Sequence, residues 1–249
     1  MDALALPSAA CHPDLRGRCV FVTGGASGIG AAVVEAFARQ GATVAFVDIA
    51  ETKAGALTQR LADDGCTRPW WRHCDVRDVA VLQHAITDAT AELGGLDVLV
   101  NSAGHHELPA LADITPGDWD RHFAVNQRAA FFAIQAAIPG MRELGGGAIV
   151  NIAWNSGYPV PAGSGSLRQD WTRALARELG ADRIRINTVV AGPMAQRPSP
   201  GNAGERKPPH QCLPDAVLPA DVAAMALFLA SPAGRACTGQ EYVVGSGAC

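Results

Sequence analysis

Tyrosine and lysine are the scarce residues of this 249-residue chain. There are two tyrosines, Tyr158 and Tyr242, and the lysines are Lys53 and Lys207. Neither tyrosine has a lysine four residues later, so no phenol and ammonium group can face each other one helical turn apart. Basic runs are missing as well. With a net charge of −4, the chain offers no basic patch for nucleic acid or for an anionic membrane surface. No apolar stretch approaches the length of a membrane span, and Met1-Asp-Ala-Leu-Ala-Leu-Pro7 carries an acid where a secretory leader needs positive charge. The seven cysteines are scattered without zinc-ligand spacing, and their odd number argues against a full disulfide framework. Reduced thiols in a cytoplasm are the expectation, with a small molecule or a protein as partner. Internal repeats and low-complexity tails are absent too.

What is present begins at Cys19-Val-Phe-Val-Thr23, an apolar run of strand type that passes into Gly24-Gly-Ala-Ser-Gly28-Ile-Gly30 and then into a helical pattern from Ala31 to Arg39. Ile29, Val33, Ala36 and Phe37 form its expected buried stripe. Strand, glycine turn and helix together make a site for a pyrophosphate. Gly24 permits the tight turn, Gly28 lets the backbone approach the anion, and Gly30 lets helix and strand pack closely, with free N–H groups at the helix start. A lone glycine pattern of this kind also occurs in loops that bind nothing. A second strand, Thr43-Val-Ala-Phe-Val47, ends in Asp48, about 20 residues after the glycines, where a carboxylate accepts hydrogen bonds from the adenosine ribose. Its charge would repel a 2′-phosphate, so NAD is expected over NADP.

The remaining pattern alternates strand and helix. Leu96–Val100, Ala148–Ile152, Ile184–Val190 and Glu241–Val244 read as strands. Trp119 to Met141, Leu167 to Leu179 and Asp221 to Leu229 read as helices, and Gly145-Gly-Gly147 separates a helix from a strand. These elements predict an α/β fold, one Rossmann-type doubly wound parallel sheet flanked by helices, spanning residues 1–249 as a single domain. Residues 1–14 read as a loose extension, and 193–219, rich in proline and glycine, as a substrate-selecting loop region.

The chain resembles the short-chain dehydrogenase/reductase family, roughly from Leu15 to Gly247. Thr23 to Gly30 is similar to the family's Thr-Gly-x-x-x-Gly-x-Gly turn, Cys74-Asp75-Val76 to its Asp-Val pair, and Asn101-Ser-Ala-Gly104 to its Asn-Asn-Ala-Gly segment. Asn126 stands where the family has the helix asparagine of its catalytic tetrad. The resemblance implies dinucleotide contacts at Gly24, Ser27, Gly28, Ile29, Gly30, Asp48, Asp75, Val76, Asn101, Ala103, Gly104 and Gly192. It also implies a homodimer or homotetramer built on the two long helices, or a hetero-oligomer with an active family member. Gln211-Cys-Leu-Pro, Phe228-Leu-Ala-Ser231 and Cys237-Thr-Gly-Gln240 are similar to bacterial aldose and polyol dehydrogenases of the family.

Against that pattern the reacting end is altered. Trp154 stands where the family has a catalytic serine, and alignment backward from Thr172 puts Pro161 and Gly165 at the tyrosine and lysine positions, across a shortened connection. Val190-Ala191-Gly192-Pro193 has alanine in place of a proline, and Val244-Gly245-Ser-Gly247 lacks a common aspartate. Asn126 survives from the tetrad, and the substitute candidates are Tyr158 and His105. A free tyrosine, with a pKa near 10, is a poor base at neutral pH. His105-His106-Glu107 follows the Asn101–Gly104 segment, and histidine is the side chain that changes charge nearest neutrality, although loop histidines are commonly just solvated. Adjacent side chains of one loop do not converge on an ion, so no metal site is expected. Three functions stay open: an NAD-dependent oxidoreductase of sugars, polyols or other secondary alcohols with a rearranged acid/base, a catalytically silent partner subunit or regulator, and a lyase or isomerase that reuses the cleft.

Overall fold

The computed structural model describes residues 11–105, 109–154, 163–192, 194, 212–213 and 215–246. Among them seven strands form one sheet: β1 Cys19–Thr23, β2 Thr43–Asp48, β3 Trp70–His73, β4 Val98–Asn101, β5 Gly147–Trp154, β6 Ile184–Ala191 and β7 Glu241–Val244. Their order is β3-β2-β1-β4-β5-β6-β7, and every neighbouring pair is parallel. All-parallel sheets need cover on both faces, which is why β1 is buried at all five positions and reads as a continuous apolar run.

Among the described residues seven α-helices supply that cover: α1 Gly28–Arg39, α2 Glu51–Asp63, α3 Val79–Leu93, α4 Pro116–Phe123, α5 Ala129–Glu143, α6 Gly163–Leu179 and α7 Pro219–Ala230. Side chains alternate across the sheet and divide the core into two layers. Val20, Val22, Phe46, Val100 and Ile152 pack with Val33 and Phe37 of α1, Leu61 of α2 and Leu227 of α7. Phe21, Val47, Leu99, Ile149 and Ile186 pack with Ile86 of α3, Met141 of α5 and Leu179 of α6. The doubly wound sheet is therefore the observed fold. On α1 the buried stripe includes Val34 and Ala38, while Ala36 is half-buried.

The segment expected as one helix from Trp119 to Met141 differs in a useful way. It starts at Pro116, is capped by a reciprocal pair in which Thr115 accepts from the Asp118 N–H and Asp118 accepts from the Thr115 N–H, and runs to Glu143. Between α4 and α5 lies a π-helical turn, Ala124–Arg128. The extra residue in that turn alters which side chains face the sheet, and Asn126 sits inside it. Helix α6 begins at Gly163, four residues before the expected start. The strand order reverses between β1 and β4, and the crevice at that switch point is where open α/β sheets bind ligands.

Candidate dinucleotide site

At the carboxyl end of β1, three glycines are needed for separate reasons. Gly24 has φ +70°, and a Cβ there would lie 2.7 Å from the Ala103 Cα. At Gly30 a Cβ would lie 1.9 Å from the Gly24 carbonyl oxygen, so turn and helix are in direct backbone contact. Gly28, at φ +55°, faces open space, which leaves room for a ligand at the start of α1. Ser27 is the N-cap residue but its side chain makes no capping hydrogen bond, so that helix end is open to an anion.

The turn is held from two sides. Thr23 Oγ1 accepts the Ser102 and Ala103 N–H groups, each at 3.1 Å, tying the β1 end to the segment after β4. Asp48 is 9% exposed; its Oδ2 accepts the Ala26 N–H at 2.9 Å and its Oδ1 accepts the Ala50 N–H at 2.8 Å. Each oxygen keeps a further acceptor site, which is what two ribose hydroxyls require. These features enclose a cleft of about 700 Å³, running from Asp48, Lys53 and Asp75 at one end, past Gly24 and Ser27–Gly30, to Ala103, Gly104, His105 and Val125 at the other. The cradle that a Cβ would fill at Gly24 and Gly30, the uncapped helix start and the seated carboxylate all fit a dinucleotide. Such a cofactor would be held by these groups and would supply the hydride chemistry, while the chain supplies binding, orientation and proton handling.

Not every expected contact residue reaches the cleft. Asn101 is 1% exposed and donates from Nδ2 to the Asn151 Oδ1 at 2.9 Å; Asn151 is 3.4 Å from the Thr172 hydroxyl, which is 3.1 Å from that of Thr188. This buried chain ties β4, β5, α6 and β6 together beneath the site, and Asn101 Oδ1 is buried with no partner among the described residues. Gly192 is not among the residues lining the cleft. A Cβ there would lie 2.5 Å from the Gly245 Cα, so its glycine is required by packing at the ends of β6 and β7. Asp75 and Val76 do line the cleft, but the Asp75 carboxylate turns onto the Arg77 guanidinium, whose hydrogen bonds hold it below the usual carboxylate range. Beside them Cys74 is 1% exposed, and burial pushes its thiol up to about 11, so it stays protonated.

The reacting end brings His105 and Asn126 together. Asn126 accepts the His105 N–H at 2.8 Å and donates to the His105 carbonyl at 2.8 Å. Its amide nitrogen also lies 3.0 and 3.1 Å from the two ring nitrogens of His122. The His105 and His122 rings are 6.5 Å apart. Asp118, His122 and Asn126 fall four residues apart along α4 and its π turn, and the Asp118 carboxyl is lowered mainly by its hydrogen bonds to Thr115, with the charge of Arg121 and last that of His105 adding to it. Asp118 and His122 were missed in the sequence; the four-residue spacing ahead of Asn126 is the signal that could have found them. Asn126 is not among the residues lining the cleft, and its amide makes both hydrogen bonds to the His105 backbone. Tyr158, Pro161 and the 193–211 segment except Met194 lie outside the described residues, while Tyr242 in β7 is no substitute base, since burial and a hydrogen bond with Cys237 push its phenol up to about 12.

Residues 24–248 match the family model described as enoyl-(acyl carrier protein) reductase. The chain belongs to the short-chain dehydrogenase/reductase family. It is 41% identical over 252 residues to a D-xylose 1-dehydrogenase of Caulobacter vibrioides, an alignment covering 96% of this chain and 99% of that protein. It is 40% identical over 255 residues to a probable galactose dehydrogenase of Rhizobium meliloti, covering 98% and 99%. Among solved structures, a blue fluorescent protein from a metagenomic library in complex with NADPH superposes with a TM-score of 0.85 at 38% identity, covering 94% of this chain and 98% of that one. Membership in this family groups the chain with oxidoreductases that use nicotinamide cofactors. No helix among the described residues is long and apolar enough to cross a membrane, and no group of three metal-ligating side chains occurs among them.

Proposed function

We propose that this short-chain dehydrogenase/reductase binds NAD(H) in the cleft and that its redox chemistry, where it occurs, acts on a sugar, polyol or other secondary alcohol. The observation that carries the reading is Asp48. Its carboxylate is fixed by two backbone N–H groups at the adenosine end, where it would accept ribose hydroxyls and repel a 2′-phosphate. Gly24, Ser27–Gly30, Asp75, Val76, Ala103 and Gly104 form the rest of the cofactor bed, with Asn101 and Gly192 behind it. Segment 193–219 is assigned to substrate selection. The relatives named as xylose and galactose dehydrogenases support the substrate class.

His105 is the candidate proton carrier, because it lines the cleft and its backbone is clamped by Asn126, with Tyr158 as the alternative. A second reading, a catalytically silent subunit, is favoured by the missing Tyr-x-x-x-Lys pair. Removing one general acid or base costs about 10²- to 10⁴-fold in rate. The chain therefore binds dinucleotide with at most weak turnover, and we assign it to a cytoplasmic oligomer formed with itself or with an active family member.

One pair of measurements tests this. Fluorescence titration should give tighter binding for NADH than for NADPH, and equal affinity or the reverse order would overturn the role of Asp48. NAD reduction should then be followed with D-xylose, D-galactose and D-threitol. Turnover that falls in His105→Asn with unchanged NADH affinity supports the redox reading, while NADH binding without turnover supports the silent subunit.

A further inference from the structure

The amino ends of β4, β5 and β6, opposite the dinucleotide cleft, frame a second hollow of about 300 Å³. Its floor is the turn Gly145–Gly147, where Gly146 has φ +151° and a Cβ would lie 2.9 Å from the Arg183 carbonyl oxygen. Four arginines, Arg18, Arg183, Arg185 and Arg235, share the wall of the hollow with apolar residues such as Leu15, Val98, Leu144 and Pro232. The acids lining it are Asp14 and Asp97. Asp97 is already occupied, accepting from Arg18 Nη1 at 2.7 Å and from the Cys19 N–H at 2.8 Å. Once that pair cancels, three guanidinium groups face one carboxylate, a local excess of two positive charges in a chain whose net charge is −4.

Arg185 makes this more than a solvated basic surface. It is half-buried and has no carboxylate partner among the described residues. Nη1 donates to the Leu229 and Gly234 carbonyls at 2.6 and 2.9 Å, and Nη2 lies 3.3 and 3.4 Å from those of Ala230 and Ser231. These carbonyls close α7 and the turn after it, so the helix end offsets part of the charge. Burial still holds Arg185 below the usual arginine range, the direction expected of a cation without a counter-ion. Arg183 and Arg235 are exposed, without an ion pair or side-chain hydrogen bond among the described residues. Arg183 also sits in the left-handed region, φ +57°, which a bulky residue rarely adopts.

We propose that this hollow is an oxyanion site for a phosphate-bearing small molecule, with Arg183 and Arg235 donating to the phosphate over Gly145–Gly147 and Arg185 supplying the charge behind it. Guanidinium forks match phosphate oxygens in pairs, which favours phosphate over a monovalent anion. Being at the far end of the strands, the site leaves the dinucleotide cleft free.

Calorimetric titration with pyrophosphate, with and without saturating NADH, is the test. The variant is Arg183→Asn with Arg235→Ala, asparagine being chosen because it tolerates the left-handed backbone. One equivalent should bind the wild type, persist with NADH present, and weaken by about tenfold or more in the variant. Thermal unfolding should show the variant folded, and Arg183→Lys with Arg235→Lys should recover part of the affinity. Pyrophosphate displaced by NADH and insensitive to the arginine changes would place the anion in the glycine turn and overturn the proposal, as would no binding at all. NADH affinity is read separately, so its failure would count against the dinucleotide reading alone.

Discussion

Asp48 has two roles, one of which was legible from its position and one of which was not. Its place at the end of β2 predicts ribose binding; only the folded chain shows that the carboxylate also holds the glycine turn through Ala26 and the start of α2 through Ala50. Removing it leaves the Ala26 N–H, on a residue 6% exposed, without its acceptor. An unsatisfied buried donor costs about 1–3 kcal/mol. Asp48→Ala should therefore lower unfolding free energy in urea by that amount and abolish any preference for NADH over NADPH. A variant of unchanged stability would mean that water replaces the carboxylate at the turn. Asn101 teaches the same lesson from the other side: the family pattern points at the cofactor, whereas the side chain points into a buried polar chain with Asn151.

At the scale of elements, β1, β2, β4, β5 and β6 were legible because they are apolar runs bounded by turn residues, and β7, an edge strand with no fully buried position, was legible through Tyr242-Val-Val244. Strand β3 carries no such signal. It is a four-residue edge strand like β7, but Trp70-Trp71 is followed at once by Arg72 and His73, so its apolar run is too short to read as a strand. The π turn around Asn126 escaped for a different reason: the run Ala129-Ala-Phe-Phe-Ala-Ile134 that follows it is apolar at every position, so the shift of helical phase leaves no mark in the sequence. Helices α1 and α2 are joined at the surface by a four-charge network: Glu35 accepts from Arg39 and Arg60, and Asp64 accepts from Arg39. The hydrogen bond from Arg60 is the main reason the Glu35 carboxyl lies below its usual range, with desolvation opposing and Arg39 adding to the lowering. A carboxylate whose folded pKa is depressed stabilises above its unfolded value, about 4.3, and that contribution is lost as pH falls through the folded value. Glu35→Gln should thus be less stable than wild type at pH 7, by under about 1 kcal/mol because all four groups are partly exposed. The gap should close below about pH 4 and shrink in 1 M salt. A gap independent of pH would show that packing, not charge, is what Glu35 contributes.

On the scale of the whole molecule, α4 and α5 carry large aromatic side chains that are more than two-fifths exposed. Trp119 is 49% exposed, Phe123 42% and Phe131 43%, and Phe131 meets Trp171 of α6 edge-on with ring centroids 5.9 Å apart. Trp171 also lies within reach of Gln127, its Nε1 donating at 3.4 Å, so the aromatic group bridges the π turn and α6. Exposed aromatics gathered on neighbouring helices mark an interaction surface, and a patch that pairs with its own copy closes as a two-fold dimer. Such pairing would give the outer face of α6 a partner, which is the oligomer proposed above. Light scattering at micromolar concentration should give a dimer or tetramer. Phe131→Arg buries a charge in that contact without touching either residue of the Asp48 or His105 sites, and should shift the mass to the monomer while leaving NADH affinity within about threefold, since sites distant from one another behave nearly additively. A monomeric wild type that also recovers no family partner on mixing would remove the oligomer from this reading. An oligomer indifferent to Phe131→Arg would move the interface elsewhere, and the exposed edge of β7, where Val243 is 63% exposed, would be the next surface to change.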